Sequence, residues 1–466
     1  MVFSNPVFLF LFLPATLLAY FLCPKALRNL LLLGASLFFY AWGEELFVLV
    51  LIGSIALNYV AGLVIDRARG PHRLWALWGG IAANLGLLGY YKYAGFFFEN
   101  IGLLEAAKNA PALPIGISFF TFQALSYLVD LYYDRVHVQK SPLKLALYIS
   151  LFPQLIAGPI VRYSEVEAAL SDRKTTRSDF SEGVHQFVRG LAKKTLVADP
   201  MGLVADQIYA IPAAGLSPET AWLGAICYAF QLYFDFSAYS DMAIGLGRIF
   251  GFRFPKNFDY PYTAQSVTEF WRRWHMTLSF WFRDYLYIPL GGNRTGAGRT
   301  YLNLWIVFLA TGIWHGAAWT FVAWGAFHGL FLILERLGLA RALGYCPRPV
   351  RHAYLLIVVL IGWVMFRSET FAQSWSLYQS MFLMERGAMA NNYPIERYLD
   401  LYTCLILALA TVLSIGLRPW LRAKWTTKEG ETSVMIGREV YFWTLLIVSL
   451  ISVGAASYSP FIYFRF

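Results

Sequence analysis

From Tyr301 to Leu334 the chain reads YLNLWIVFLATGIWHGAAWTFVAWGAFHGLFLIL, without one Asp, Glu, Lys or Arg. A run that long and that apolar is fit to cross a bilayer. Inside lipid the backbone must satisfy its own hydrogen bonds, so the run is expected to be helical. It nevertheless holds two imidazoles, His315 and His328. Polar ionisable groups at membrane depth are costly unless they are paired, line a water path or do chemistry, so His315 is the first candidate site residue and His328 is to be weighed against it.

The rest of the chain has the same character. It is 58% hydrophobic and 14% charged, whereas roughly a quarter of a soluble domain is charged. Apolar segments recur near 7–22, 29–43, 46–65, 74–93, 113–133, 144–161, 185–208, 221–250, 301–334, 352–366, 398–417 and 440–457. The expected fold is an all-α polytopic membrane protein with about ten to twelve spanning helices. Several segments fall short of a perpendicular span and are expected to be tilted, re-entrant or interfacial. We expect one membrane-embedded domain, with N-terminal helices over 1–110, a core over 111–370 and C-terminal helices over 371–466; Ser171–Asp179 is a polar loop inside it.

Charge is distributed as orientation signals. The net charge is +10, but Lys25 and Arg28, then Arg67, Arg69 and Arg73, then Arg135, Lys140 and Lys144 sit between apolar segments. By the positive-inside rule those loops are cytoplasmic and the N-terminus is outside. No nucleic-acid partner is expected from this patterning. The first segment has neither a basic leader nor a small-x-small cleavage site and reads as a retained helix. The four cysteines lie far apart without a CxxC pair, which indicates neither a disulfide framework nor a zinc site. No GxSxG, P-loop or HExxH motif is present, and the glycines of GLGRIFGF follow no strand, so they do not read as a phosphate cradle.

Polar residues gather in the middle third. Within Gln265–Gly292, Trp271, Trp274, Leu278, Trp281 and Tyr285 fall on one helical stripe, interleaved with Arg272, Arg273, Arg283 and Asp284. Such a segment lies at an interface or folds back into the protein. His275 sits on it, and its plainest reading is an interfacial ring half in water. Asp130 is expected to pair with Arg135. Asp235 and Asp241 lie among aromatic and small residues and are expected either to relay protons or to pair with Arg272 or Arg273. His315 is bracketed by Gly312 and Gly316, flanked by Trp314 and Trp319, and has the Thr311 hydroxyl nearby. On a continuous helix His328 would be rotated from it by about 220° and displaced by about 20 Å. His328 is therefore expected either at the other membrane face or packed against a neighbouring helix, the close approach that Gly325 and Gly329 suggest.

The blocks LPIGISFFTFQALSYLVDLY (113–132), LFPQLIAGPIVRY (151–163), YFDFSAYSDMAIGLGRIFGFRFPKNFDYPY (233–262), EFWRRWHMTLSFWFRDYLYIPLGGNR (269–294), WHGAAWTFVAWGAFHG (314–329) and GWVMFRSE (362–369) resemble the membrane-bound O-acyltransferase family, in its bacterial polysaccharide branch. The resemblance implies helices around a central funnel or tunnel, and an inner-membrane enzyme. It implies transfer of an acetyl group from cytoplasmic acetyl-CoA towards an exported polysaccharide such as alginate, directly or through periplasmic acetyltransferase subunits. Acetyl-CoA would be a substrate; no permanently bound cofactor and no metal is implied. In the family the WHG histidine is catalytic, which falls on His315, and the upstream histidine falls on His275. Arg272, Arg273 and Arg283 are then candidates for the CoA phosphates, and Trp314 for a donor contact.

The residues suit that chemistry. Transfer from a thioester to a hydroxyl needs a base, and neutral imidazole is matched to the task near pH 7. His315 is expected to be that base, with His275 orienting a substrate or polarising a carbonyl; an acyl-histidine intermediate is a lesser alternative. The competing classes are a polytopic transporter or channel with His315 on a proton path, although internal symmetry of the transporter kind is missing, and a non-catalytic scaffold.

Overall fold

The computed structural model describes residues 1–294, 296–384, 386–416, 431–455 and 461, and the side chains of these except 431–436. Among them all regular structure is helical. The protein is a multi-pass, all-α membrane protein. Among the described residues, four helical stretches are each long and apolar enough to cross a membrane: Lys25–Arg67, Trp319–Gly344, Arg348–Arg367 and Gly437–Ala455. Ala390–Arg397 with Leu401–Ile415 is a fifth if that bent pair is one span. Of the other apolar segments, 221–250 falls in one 32-residue helix, Pro218–Ile249, whereas 144–161 is delivered as shorter helices joined at a break, Pro142–Ser150 followed by Phe152–Leu155. The ends of two expected segments, residue 417 and residues 456–457, lie outside the described residues.

The described residues sort into two compact units. The first comprises 1–187, 239–256 and 283–285. Its helices Val48–Arg67, Pro71–Leu88 and Ile117–Tyr132 pack through small residues: a Cβ on Gly62 would meet the Tyr127 ring, and one on Gly80 would meet Leu128. Removing side-chain bulk is how apolar helices approach closely in the absence of a hydrophobic drive. Asn58 and Asn84 exchange amide hydrogen bonds of 3.0 and 2.8 Å between the first two helices. In the same unit Asp130 accepts from Arg135 at 3.1 Å, as expected, and also from the Tyr285 hydroxyl at 2.7 Å. Asp241 accepts from Gln186 at 3.3 Å.

The second unit comprises 188–238, 257–282 and 286–466. Its core is aromatic, with Trp324, Trp363, Trp274, Phe270 and Phe366 all buried. Tyr262 ties it together: its hydroxyl donates to Ala229 O at 2.7 Å and accepts from Trp363 Nε1 at 3.2 Å, and its carbonyl lies 2.6 Å from His352 Nε2. Two expectations are corrected here. Residues 301–334 are not one helix: Ala297–His315 ends at His315, Gly316–Ala318 are extended or bent, and Trp319–Leu334 folds back. Gly316 admits the turn because the Phe321 ring occupies the place where its Cβ would be. Nor is 265–292 one striped helix, since Val267–Arg273 and Met276–Phe282 are separate seven-residue helices.

Candidate active site

All three histidines singled out from the sequence lie in the second unit. His315 is the last residue of Ala297–His315 and 5% exposed. Its ring packs edge-on against Trp314, Trp324 and Phe366, with centroids at 5.0, 5.0 and 5.2 Å. The helix break therefore places the imidazole at a chain reversal inside an aromatic shell. Thr311, expected as a nearby hydroxyl, donates instead to Val307 O of its own helix at 2.8 Å.

His275 is not interfacial; it is 1% exposed. It occupies the bend between the two short helices with φ +43°, a left-handed conformation that costs a non-glycine residue energy and is held only by its surroundings. Asn257 Oδ1 lies 3.1 Å from His275 Nδ1 and also receives Thr277 N at 3.2 Å and Thr277 Oγ1 at 2.9 Å. An oxygen that takes a backbone N–H is an acceptor, so His275 Nδ1 carries the ring proton and Nε2 the lone pair. Phe236 stands perpendicular to the ring at 4.6 Å, and Trp314 lies at 6.3 Å. Trp314 thus contacts both His275 and His315. Burial pushes the His275 imidazole down to about 3, since charging it would mean desolvating a cation.

Of the two placements expected for His328, it takes the packed one. It is fully buried, with Trp271, Trp324 and Phe327 at 5.1, 5.0 and 5.4 Å. Its Nε2 fills the space left by Gly362, whose Cβ would stand 2.5 Å away. Because the chain folds back, His328 and His315 are not on opposite faces of one helix: each lies 5.0 Å from the Trp324 ring, on either side of it in sequence.

The arginines separate. Arg273 bonds Glu269 at 2.7 Å and Thr263 Oγ1 at 3.3 Å, Arg272 is exposed, and Arg283, in the first unit, chelates Asp284 at 2.6 and 3.0 Å. Asp235 takes a lysine where Arg272 or Arg273 was the expected pairing. That carboxylate pairs with Lys194 at 2.7 Å, which also reaches Asp199 at 2.8 Å. Lys194 was overlooked because it reads as one half of an interfacial KK pair. Asn257 was overlooked because an amide in a polar loop carries no signal of a role. Among the described residues no three His, Cys, Asp or Glu side chains gather as a metal site.

Fold and site together define a multi-pass helical membrane protein with imidazoles enclosed at a helix reversal and at a strained bend. The model of the MBOAT, membrane-bound O-acyltransferase family, matches residues 116–368. The chain is 41% identical to "Probable alginate O-acetylase" of Pseudomonas putida strain KT2440 over the whole of both chains. It is 38% identical to "Peptidoglycan O-acetyltransferase" of Helicobacter pylori, over 82% of this chain and 80% of that one. To "Teichoic acid D-alanyltransferase" of Bacillus subtilis it is 28% identical, over 47% and 58%. The chain belongs to the membrane-bound O-acyltransferase family and is an O-acyltransferase.

Proposed function

We propose that the protein transfers an acetyl group from acetyl-CoA, arriving from the cytoplasmic side of a bacterial inner membrane, to hydroxyls of an exported polysaccharide of the alginate kind. The transfer is either direct or passed on through a periplasmic acetyltransferase partner, and the N-terminus faces the periplasm. The observation that carries this reading is the enclosure of His315 at the helix reversal, with His275 packed against the same Trp314. The names of the relatives supply the class of acceptor.

In this reading an imidazole nitrogen of His315 takes the hydroxyl proton as the oxygen attacks the thioester carbonyl. The tetrahedral adduct then collapses, the carbon–sulfur bond breaks, and the proton passes to the departing thiolate, giving ester and CoA thiol. A dry aromatic shell limits competing hydrolysis. His275, with its lone pair on Nε2, is suited to receive a hydrogen bond from the acceptor hydroxyl. In that tautomer it has no second N–H with which to polarise a carbonyl. Arg272, exposed on its helix, is the first candidate for the CoA phosphates, and Trp314 for a donor contact. Arg273 would share its guanidinium with Glu269, and Arg283→Ala tests the third arginine.

Purified protein in nanodiscs, given acetyl-CoA with and without an alginate oligosaccharide, is expected to release CoA thiol and label the glycan. His315→Ala is expected to lose about 10²–10⁴-fold. Equal thiol release by the folded His315→Ala protein would sink the assignment.

A further inference from the structure

Glu335 is the first residue after the apolar helix Trp319–Leu334, and it is 3% exposed. A carboxylate is not left buried there without donors. Its donors come from far away in sequence: Val267 N at 2.6 Å, Thr268 N at 2.9 Å, Thr268 Oγ1 at 2.6 Å, and the Tyr354 hydroxyl at 3.1 Å. Val267 and Thr268 open the helix Val267–Arg273.

That helix has two turns and cannot hold itself together, because nucleation outweighs so few internal hydrogen bonds. Its first amides need outside acceptors. Ser266 Oγ, the N-cap, accepts from Glu269 N at 3.0 Å, and Glu269 Oε2 reaches back to Gln265 N at 2.8 Å. These two bonds leave Val267 N and Thr268 N, which are the two amides Glu335 takes. The same helix sets Trp271 against His328 and Trp324, at 5.1 and 5.6 Å. It then runs directly into the strained bend that carries His275.

We propose that Glu335 is a positioning residue for acyl transfer: by taking the first two amides of Val267–Arg273, it fixes the register of the His275-bearing segment against the helical hairpin that carries His315 and His328. This rests on the reading that His315 and His275 serve the reacting groups. Glu335 acts through the segment it holds. Reacting groups are sensitive to such registration, since a displacement of about 1 Å costs on the order of a hundredfold in rate.

The test uses the full-length protein in nanodiscs with Glu335→Gln, Thr268→Val and Tyr354→Phe. Steady-state kinetics with acetyl-CoA are measured on the monodisperse folded fraction, and amide exchange is followed over 265–275. Glu335→Gln keeps the shape but places an NH₂ where one N–H donor needs an acceptor. It is expected to lower kcat about tenfold to a hundredfold with KM for acetyl-CoA unchanged, and to speed exchange at Val267 and Thr268. Thr268→Val, which deletes only the hydroxyl donor, is expected to do less, and Tyr354→Phe least.

Wild-type kcat in folded Glu335→Gln would overturn the proposal. So would a loss confined to folded yield, because a purely structural role would leave the kinetics of folded molecules unmoved. If wild-type protein releases no CoA, or His315→Ala releases it undiminished, the acyl-transfer reading has failed and the positioning role falls with it. Anchoring by Glu335 is then decided by the exchange measurement alone.

Discussion

Gly312 and Gly325 meet backbone to backbone across the hairpin: a Cβ on Gly325 would lie 3.1 Å from Gly312 Cα and inside contact with the Phe308 carbonyl, and one on Gly312 would lie 3.2 Å from Gly325 Cα. Nothing flexible stands there to yield. Gly325→Ala and Gly312→Ala are each expected to destabilise towards the upper end of the about 1–3 kcal/mol typical of overpacking, by forcing apart the two helices that carry His315 and His328. Gly329→Ala, whose Cβ would meet the Phe308 Cβ at 3.1 Å, is expected to cost less. Thermal unfolding in detergent, read by tryptophan fluorescence, checks the order; equal melting of all three would refute it.

Much of this was legible in the sequence. Charge-free runs gave the membrane helices, because lipid leaves a backbone no other choice, and the glycines around His328 gave close helix approach. The reversal at Gly316–Ala318 was hidden, since an apolar hairpin and an apolar span have the same composition. So was the break at His275: periodicity over Trp271, Trp274 and Leu278 survives a bend, and a positive φ at histidine leaves no trace in residue types. Lys194 with Asp235, and Glu335 with Val267, join positions too distant for any local pattern to link. Glu335 did have one sequence mark, as the first acid after the charge-free run.

His328 and His315 share Trp324 but are expected to respond differently. His328→Ala empties space among Trp271, Trp324 and Phe327 and should destabilise by about 2–5 kcal/mol, as large-to-small changes in a core do. Specific activity of what still folds should stay well above that of His315→Ala, which opens a comparable space among Trp314, Trp324 and Phe366 but also loses turnover. Melting and CoA release measured on the same preparations separate the two effects. A folded His328→Ala protein as inactive as His315→Ala would give His328 a chemical role.

Lys194 stands between Asp235 and Asp199, with Lys194 and Asp235 each about 2% exposed. Removing one member of a buried pair costs about 3–5 kcal/mol because it leaves a charge uncompensated. Lys194→Met removes a cation shared by two carboxylates, whereas Asp235→Asn leaves Lys194 with Asp199. The lysine variant is therefore expected to be the less stable. Lys194→Met with Asp235→Leu should recover part of the loss. Chemical or thermal denaturation of the three variants is the check, and a double variant worse than Lys194→Met would contradict the account.

Asn257 and His275 make a pH-dependent contribution whose sign follows from burial. Folded His275 is held at about 3, while the unfolded ring titrates near its ordinary value of 6.5. Between those values the unfolded chain binds a proton that the folded protein refuses, so stability falls as pH falls below about 6.5 and is fully present above it. The slope is at most about 1.4 kcal/mol per pH unit. Wild-type protein should therefore melt earlier at pH 5 than at pH 7, and His275→Gln, with no titrating ring, should show a flatter dependence. Asn257→Asp sets a carboxylate beside Nδ1, which favours the imidazolium, and should flatten the profile too. Melting profiles of wild type and His275→Gln that run parallel from pH 7 to 5 would show that this ring takes up its proton in the folded state, and that the enclosure described for it does not hold in solution.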